Sequence, residues 1–238
     1  HAMSHPPILL DFAPSHDSIN SFSTTTTSAK TSHVVLHTSK GALHVSLFHT
    51  LTPKASRNFV ELAKSGYYDA NVIFRIRKNF LMQMGCPLGN GKGGESIFSK
   101  RSFETEIHAK LGFGKGILGM APMGGENGPL GSQYFITLGE CEQLNGRYTV
   151  FGRVLEEDWH VLEALERDFP TDGKDRPLGL TYDGKHSKTK SDNDVPKVFS
   201  VHVVNDPFEG QPLPRGARIP EKPLIENTER RQSCCVIS

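Results

Sequence analysis

Residues 72–85 run VIFRIRKNFLMQMG. In the first half Val72, Phe74 and Ile76 alternate with Ile73, Arg75 and Arg77. After Lys78 and Asn79, Phe80, Met82 and Met84 alternate with Leu81 and Gln83. Period-two alternation of β-forming residues predicts two strands rather than a helix. Arg75 and Gln83 stand among residues that would otherwise build a core. A buried guanidinium or amide without a partner costs on the order of several kcal/mol. The two groups therefore either pair with each other and the backbone, or line a cleft.

Residues 131–137 (GSQYFIT) read as another strand that carries a glutamine beside aromatics, and residues 148–154 (YTVFGRV) follow as a third. Toward the N-terminus, HVVLH at 33–37 and ALHVSLF at 42–48 are strand-like runs separated by Ser39-Lys40-Gly41, a hairpin pattern. Thr52-Pro53 predicts a helix start, since Thr can cap the exposed N–H groups and Pro tolerates the first turn. Ala55, Phe59, Leu62 and Ala63 then form one apolar stripe, and Gly66 ends it. The glycines at 89, 91, 93 and 94 lack the phosphate-loop pattern and precede no helix, so they predict a mobile loop beside a groove. EDWHVLEALER at 157–167 reads as a second helix with Trp159, Leu162 and Leu165 on one face. A polar insert between Asp172 and Pro196 is long for a compact domain and is expected to be mobile. KVFSVHVV at 197–204 reads as the closing strand. Many short strands, glycine turns and two helices predict a mainly β barrel or sandwich.

A chain of 238 residues holds one domain with a sizeable core, or two small ones. Its formal net charge of +1 offers no electrostatic case for nucleic acid or anionic lipid from the chain as a whole. No apolar run reaches the roughly 18 residues of a spanning helix, and no basic segment leads into an apolar one as in a secretory signal. His1-Ala-Met3 reads as an expression scar ahead of a natural start at Met3. Cys86 and Cys141 lie far apart while Cys234 and Cys235 are adjacent, which is no disulfide framework and fits a reducing compartment. The eleven histidines show no metal-ligand spacing, so neither a metal nor a cofactor is expected.

FLMQMG at 80–85, GSQYF at 131–135 and VFGRV at 150–154, in this order and roughly this spacing, resemble the motifs of the cyclophilin family of peptidyl-prolyl isomerases. The resemblance extends from about Ser32 to Asp206. It implies a closed eight-stranded antiparallel β-barrel capped by two α-helices. It also implies isomerase activity on X-Pro bonds of protein substrates, assisting their folding or switching. By resemblance Arg75 matches the family's catalytic arginine and Gln83 the glutamine that orients the arginine and substrate. Phe80, Leu81, Phe135 and Leu144 match walls of the proline pocket, and Gln133 a second groove glutamine. Ala121, Pro122 and Met123 match the stretch that faces the substrate backbone.

The departures from the family pattern are chemical. Phe74 replaces the usual histidine before the arginine, and Met84 and Cys86 replace glycine and aspartate. Cys86 reads as a small buried hydrophobe rather than a redox thiol. Gln143 stands at the common tryptophan position and Tyr148 at the common histidine position. Pro122 has no N–H where the family presents one to the substrate, and the turn after it is about two residues longer than usual. The implied partners are proline-containing peptides or proteins, with ciclosporin binding weakened by the loss of the indole at Gln143. The rival to an enzyme is a binding module with the same groove and little turnover. GGESIF at 93–98 and VVNDPF at 203–208 resemble the members attached to larger assemblies, the spliceosome among them.

Three regions follow: a flexible Ser/Thr-rich arm over residues 1–31, the isomerase-like domain over 32–207, and a proline-containing tail over 208–238 that is expected to run extended. The last four residues, Cys235-Val-Ile-Ser238, fit a prenylation motif. Cys234 is a candidate second lipidation site, since one prenyl chain binds membranes only marginally. This tail makes a membrane-anchored adaptor a third functional class; the expected residence is cytoplasmic with a membrane-associated fraction, and the nucleus is the alternative.

Overall fold

His33–Thr38 (β1) and Gly41–Leu47 (β2) pair antiparallel with Val34 opposite Val45 and Leu36 opposite Leu43. This register sends all four side chains to one face, where they are buried. The computed structural model describes residues 32–180 and 195–223. The remaining elements are α1 (Pro53–Lys64), β3 (Asn71–Val72), β4 (Arg75–Arg77), β5 (Leu81–Met84), β6 (Ile117–Pro122), β7 (Leu130–Thr137), β8 (Val150–Val154), α2 (Trp159–Asp168) and β9 (Lys197–Asn205). The nine strands form one antiparallel sheet in the order β3-β9-β1-β2-β8-β6-β7-β5-β4.

The two edges of that order, β3 and β4, are consecutive pieces of one segment joined by Ile73 and Phe74. The sheet therefore curls until a single segment serves both edges. Counted as one strand, β3 and β4 bring the nine to the expected eight. The alternation predicted over residues 72–77 breaks at this joint. Ile73 and Ile76, three positions apart, enter the main core, while Val72 and Phe74 pack with Cys86 on the other side. The Ile73 N–H donates to Pro196 O at 2.9 Å and the Phe74 N–H to Gln83 O at 3.1 Å, so the backbone changes partner strand here. Asn71, buried, completes the seam: its Nδ2 donates to Cys86 O at 2.8 Å and its Oδ1 accepts from the Gly85 N–H at 2.7 Å.

Helix α1 drives Phe59 into the sheet, where its ring lies 5.1–5.3 Å from Tyr68, Tyr134 and Phe151. Helix α2 buries Val161, Leu162 and Leu165. Helix α1 starts at Thr52-Pro53 as the sequence predicts, but without the predicted cap. The Thr52 side chain makes no cap hydrogen bond. The Glu106 carboxylate does that work, accepting from the Lys54 and Ala55 N–H groups at 3.1 and 2.8 Å, where an anion also meets the helix dipole. The second helix begins at Trp159 rather than Glu157, after a 3-10 turn at Glu156–Asp158. Asp158 spends its carboxylate on β2, accepting from the His44 N–H at 2.6 Å and meeting His44 Nδ1 at 2.9 Å.

Residues 206–218 run along the domain. The buried Arg57 ion-pairs with Glu61 at 2.9 Å, donates to Gln211 O at 3.0 Å, and sits 4.8 Å over the Phe208 ring. The Arg218 N–H donates to Ile97 O at 2.8 Å. Of the polar insert, residues 173–177 belong to a turn closed by the Thr171–Pro177 bridge, and residues 181–194 lie outside the described set. The N-terminal arm and the end of the tail, including Cys234 and Cys235, also lie outside it.

Candidate functional site

The outward face of β5 carries Leu81 and Gln83, because Met82 and Met84 take the core face. Pairing sets Gln83 between Arg75 of β4 and Phe135 of β7. Beside β7, β6 contributes Ala121 and Pro122, and a 3-10 turn at Glu142–Leu144 brings Leu144 alongside. Together these residues line an open cleft of about 220 Å³, completed by Phe80, Tyr148, Gly125 and Glu126. That is below the ~300–1,000 Å³ typical of drug-sized ligands, and suits one ring with its flanking backbone.

The floor is apolar and stiff. Leu81, Phe135 and Leu144 are buried, and Phe135 stacks on Phe113 at 5.5 Å and meets Tyr148 edge-on at 5.9 Å. Gly119 makes this stacking possible. A Cβ there would lie 2.4 Å from Phe135 Cζ and 2.7 Å from Phe113 Cε1, closer than any real contact. Arg77 lies 5.2 Å over the ring of Phe80 at the rim.

The polar wall answers the choice left open by the sequence. Arg75 and Gln83 are cross-strand neighbours and both line the cleft, but their side chains have other partners. Arg75 Nη2 donates to Asp175 Oδ2 at 3.2 Å. Gln83 Nε2 donates to Gln133 Oε1 at 3.0 Å. Gln133 is buried behind the wall and donates through Nε2 to Gly91 O at 3.0 Å and Gly93 O at 2.7 Å. The glycine-rich stretch expected to be a mobile loop is thus anchored to β7. Gly94 admits this approach, since a Cβ there would lie 2.3 Å from Ser132 Oγ.

Nine of the residues singled out by sequence line one cleft: Arg75, Phe80, Leu81, Gln83, Ala121, Pro122, Phe135, Leu144 and Tyr148. Three do not. Gln133 supports from behind. Met123 belongs to the turn, where its N–H donates to Pro129 O at 2.9 Å and its sulfur faces Gly131. Gln143 is exposed on the 3-10 turn, outside the lining. Sequence reading missed Glu126 and Asp175. Glu126 sits at the mouth, paired with Arg147. The run GGENGP at 124–129 announces a turn, but nothing local says which wall it meets. Asp175 lies 100 positions from the arginine it binds.

Cys86 and Cys141 are free thiols with no solvent exposure. Burial, reinforced by the nearby Glu140 charge, pushes the Cys141 thiol above its ordinary range. Among the described residues, no group of three His, Cys, Asp or Glu side chains is arranged to hold a metal.

Residues 33–181 match the family described as cyclophilin type peptidyl-prolyl cis-trans isomerase/CLD. The chain is 38% identical over 177 residues to the spliceosome-associated protein CWC27 homolog of Danio rerio, covering 74% of this chain and 34% of that protein. It is 48% identical over 122 residues to the peptidyl-prolyl cis-trans isomerase cypE of Dictyostelium discoideum, covering 51% of this chain and 76% of that one. The chain thus spans about a third of the Danio rerio relative. Among solved structures, a Cryptosporidium parvum cyclophilin type peptidyl-prolyl cis-trans isomerase, crystallised in the presence of the dipeptide ala-pro, aligns with a TM-score of 0.61 and 34% identity. The alignment covers 72% of this chain and 98% of that one.

Proposed function

Because this chain belongs to the cyclophilin type peptidyl-prolyl cis-trans isomerase family, we propose that it catalyses cis–trans interconversion of X-Pro bonds in protein substrates at the cleft around Arg75. The observation that carries the reading is a guanidinium on the wall of a small pocket floored by Leu81, Phe135 and Leu144.

Rotation about a peptide bond meets a barrier of about 18–20 kcal/mol, because twisting breaks amide resonance. No covalent step is needed to lower it. In the twisted state the proline nitrogen becomes pyramidal and basic, and the carbonyl swings out of plane. The apolar floor holds the ring while Arg75 offers N–H donors and positive charge to the twisted amide. The guanidinium interacts more strongly with that state than with either planar one, and such a difference is what accelerates the step. Gln83, with its amide nitrogen committed to Gln133, keeps its carbonyl oxygen for a substrate N–H.

The opposite wall is poorer in donors. Pro122 has no N–H, and the next one, on Met123, is spent on Pro129 O. Substrate backbone finds fewer anchors there to hold the flanking amide while the bond twists, so the departure lowers turnover. This feature favours the second reading, a proline-peptide binding module with slow turnover. The name of the Danio rerio relative, together with the GGESIF and VVNDPF runs, supports protein partners within the spliceosome and a nuclear residence.

The test is isomerisation of a panel of Xaa-Pro tetrapeptides by the purified chain and by Arg75→Ala. The substitution should lower kcat/KM at least about tenfold, with the fold intact by circular dichroism. Equal rates in both proteins would overturn the role of Arg75. No activity in either would overturn the enzyme and leave the binding module. For the partner class, immunoprecipitation of the tagged chain from nuclear extract should recover spliceosomal RNAs, and their absence would remove that assignment.

A further inference from the structure

Strand β4 is an edge strand, paired with β5 alone among the strands of the sheet. Its free edge is met by the turn at residues 171–177, closed by the Thr171–Pro177 bridge. The turn is held from within. The Asp172 N–H donates to Arg176 O at 2.8 Å, and the Asp172 carboxylate accepts from the Lys174 and Arg176 N–H groups at 2.8 and 3.0 Å. Asp175 projects from this frame onto β4 with two contacts. Its carbonyl accepts from the Ile76 N–H at 2.8 Å, and its carboxylate accepts from Arg75 Nη2 at 3.2 Å. The backbone of Asp175 is left-handed, at φ +61°, a conformation that Asp tolerates and most residues resist.

From this geometry we propose that Asp175 is the positioning residue for Arg75, holding the outer side of the guanidinium so that its remaining N–H groups face the proline pocket. The proposal rests on the isomerase reading above. A guanidinium has five N–H donors in a planar fork, so one bond to Asp175 tethers one edge of the fork and leaves donors for the substrate. Sequence resemblance assigns this duty to Gln83, but the Arg75 guanidinium bonds Asp175, while the Gln83 side chain bonds Gln133. The carboxylate also offsets part of the arginine's charge, which by itself would weaken catalysis. Both side chains are about a third exposed, 36% and 32%, so solvent screens the charge effect while the geometric constraint remains. Positioning therefore outweighs neutralisation.

The test uses the full chain with Asp175→Gly and Asp175→Asn. Glycine keeps the left-handed backbone at no steric cost and removes the carboxylate, whereas alanine would strain the turn. Asparagine keeps an acceptor and tolerates the same φ. Protection of the Ile76 amide from hydrogen exchange, unchanged in both variants, verifies that the turn stays docked. Asp175→Gly should lower kcat about fivefold on an Xaa-Pro tetrapeptide, with KM little changed, and Asp175→Asn should retain most of the rate. In the Arg75→Ala background Asp175→Gly should have no further effect. By NMR, the Arg75 guanidinium N–H resonances should exchange faster with water in Asp175→Gly than in the parent. Unchanged rate and unchanged resonances would overturn the proposal. So would an equal loss in the Arg75→Ala background, which would show a route that bypasses the arginine, or a rise in rate, which would make Asp175 a competitor of the substrate. If the parent chain isomerises no peptide, the isomerase reading fails. The resonances then decide the positioning role alone: faster exchange in Asp175→Gly supports it and no change overturns it.

Discussion

Gln83 and Gln133 are joined side chain to side chain, Nε2 to Oε1, at 3.0 Å, and Gln133 passes the connection on to the carbonyls of Gly91 and Gly93. A groove residue, a buried strand residue and a glycine-rich loop are thereby one polar unit. Its middle member is 4% exposed, so it has little water to fall back on.

Replacing that middle member breaks the unit. Gln133→Leu leaves two loop carbonyls and the Gln83 amide without their partner. The expected cost is about 2 kcal/mol in urea-induced unfolding, at the level of a buried unsatisfied polar group. In tetrapeptide kinetics KM should rise more than kcat falls, because Gln83 loses its support while Arg75 keeps Asp175. An unchanged unfolding midpoint would show that the loop is held by other contacts.

Gly119 tests the floor. Gly119→Ala puts a methyl where Phe135 Cζ already lies, 2.4 Å from the added carbon. Phe135 must tilt and its stacking on Phe113 must open. Overpacking of this kind costs on the order of 1–3 kcal/mol. Thermal unfolding should show a lowered midpoint, and peptide affinity should fall with it. Full stability with full affinity would mean that the aromatic pair is looser than its geometry implies.

Gln143 is exposed next to Leu144 and outside the cleft lining, so it brings no apolar face to a ligand. Calorimetric titration with ciclosporin should show weak binding to the parent chain and tighter binding to Gln143→Trp, which adds an aromatic face and an N–H donor beside the pocket. Tight binding by the parent with no gain in the variant would contradict this.

The two core thiols should be inert. Cys86 and Cys141 have no exposed surface, and burial raises the pKa of the Cys141 thiol, which keeps it in the protonated, unreactive form. Iodoacetamide treatment of the folded chain near pH 7.5, a condition set by the ordinary thiol pKa of about 8.5, should leave both unmodified by peptide mass mapping. Labelling should proceed after urea unfolding. Modification of Cys86 in the folded chain would revive its reading as a redox thiol.

The features legible in the sequence are those whose cause is local. Val34, Leu36, Leu43 and Val45 face inward because side chains alternate along a strand, and the Ser39-Lys40-Gly41 turn sets their register. Phe59 and Leu62 face inward because a helix repeats every 3.6 residues. Arg75 and Gln83 stood out as polar residues in apolar runs, and the three spaced motifs supplied the closed barrel and its pocket. Where long-range contacts intervene, local reading failed. The joint at Ile73 and Phe74 breaks the alternation because the backbone there changes partner from β9 to β5. Thr52 loses the cap to Glu106, and Arg75 takes Asp175 in place of Gln83. Side-chain type and repeat period fix which faces of the regular strands and helices turn inward and which polar groups need partners. Who those partners are is set by the folded chain. The free energy of a hydrogen bond or ion pair depends on distance in space, and closing the barrel brings together residues that no period along the chain connects.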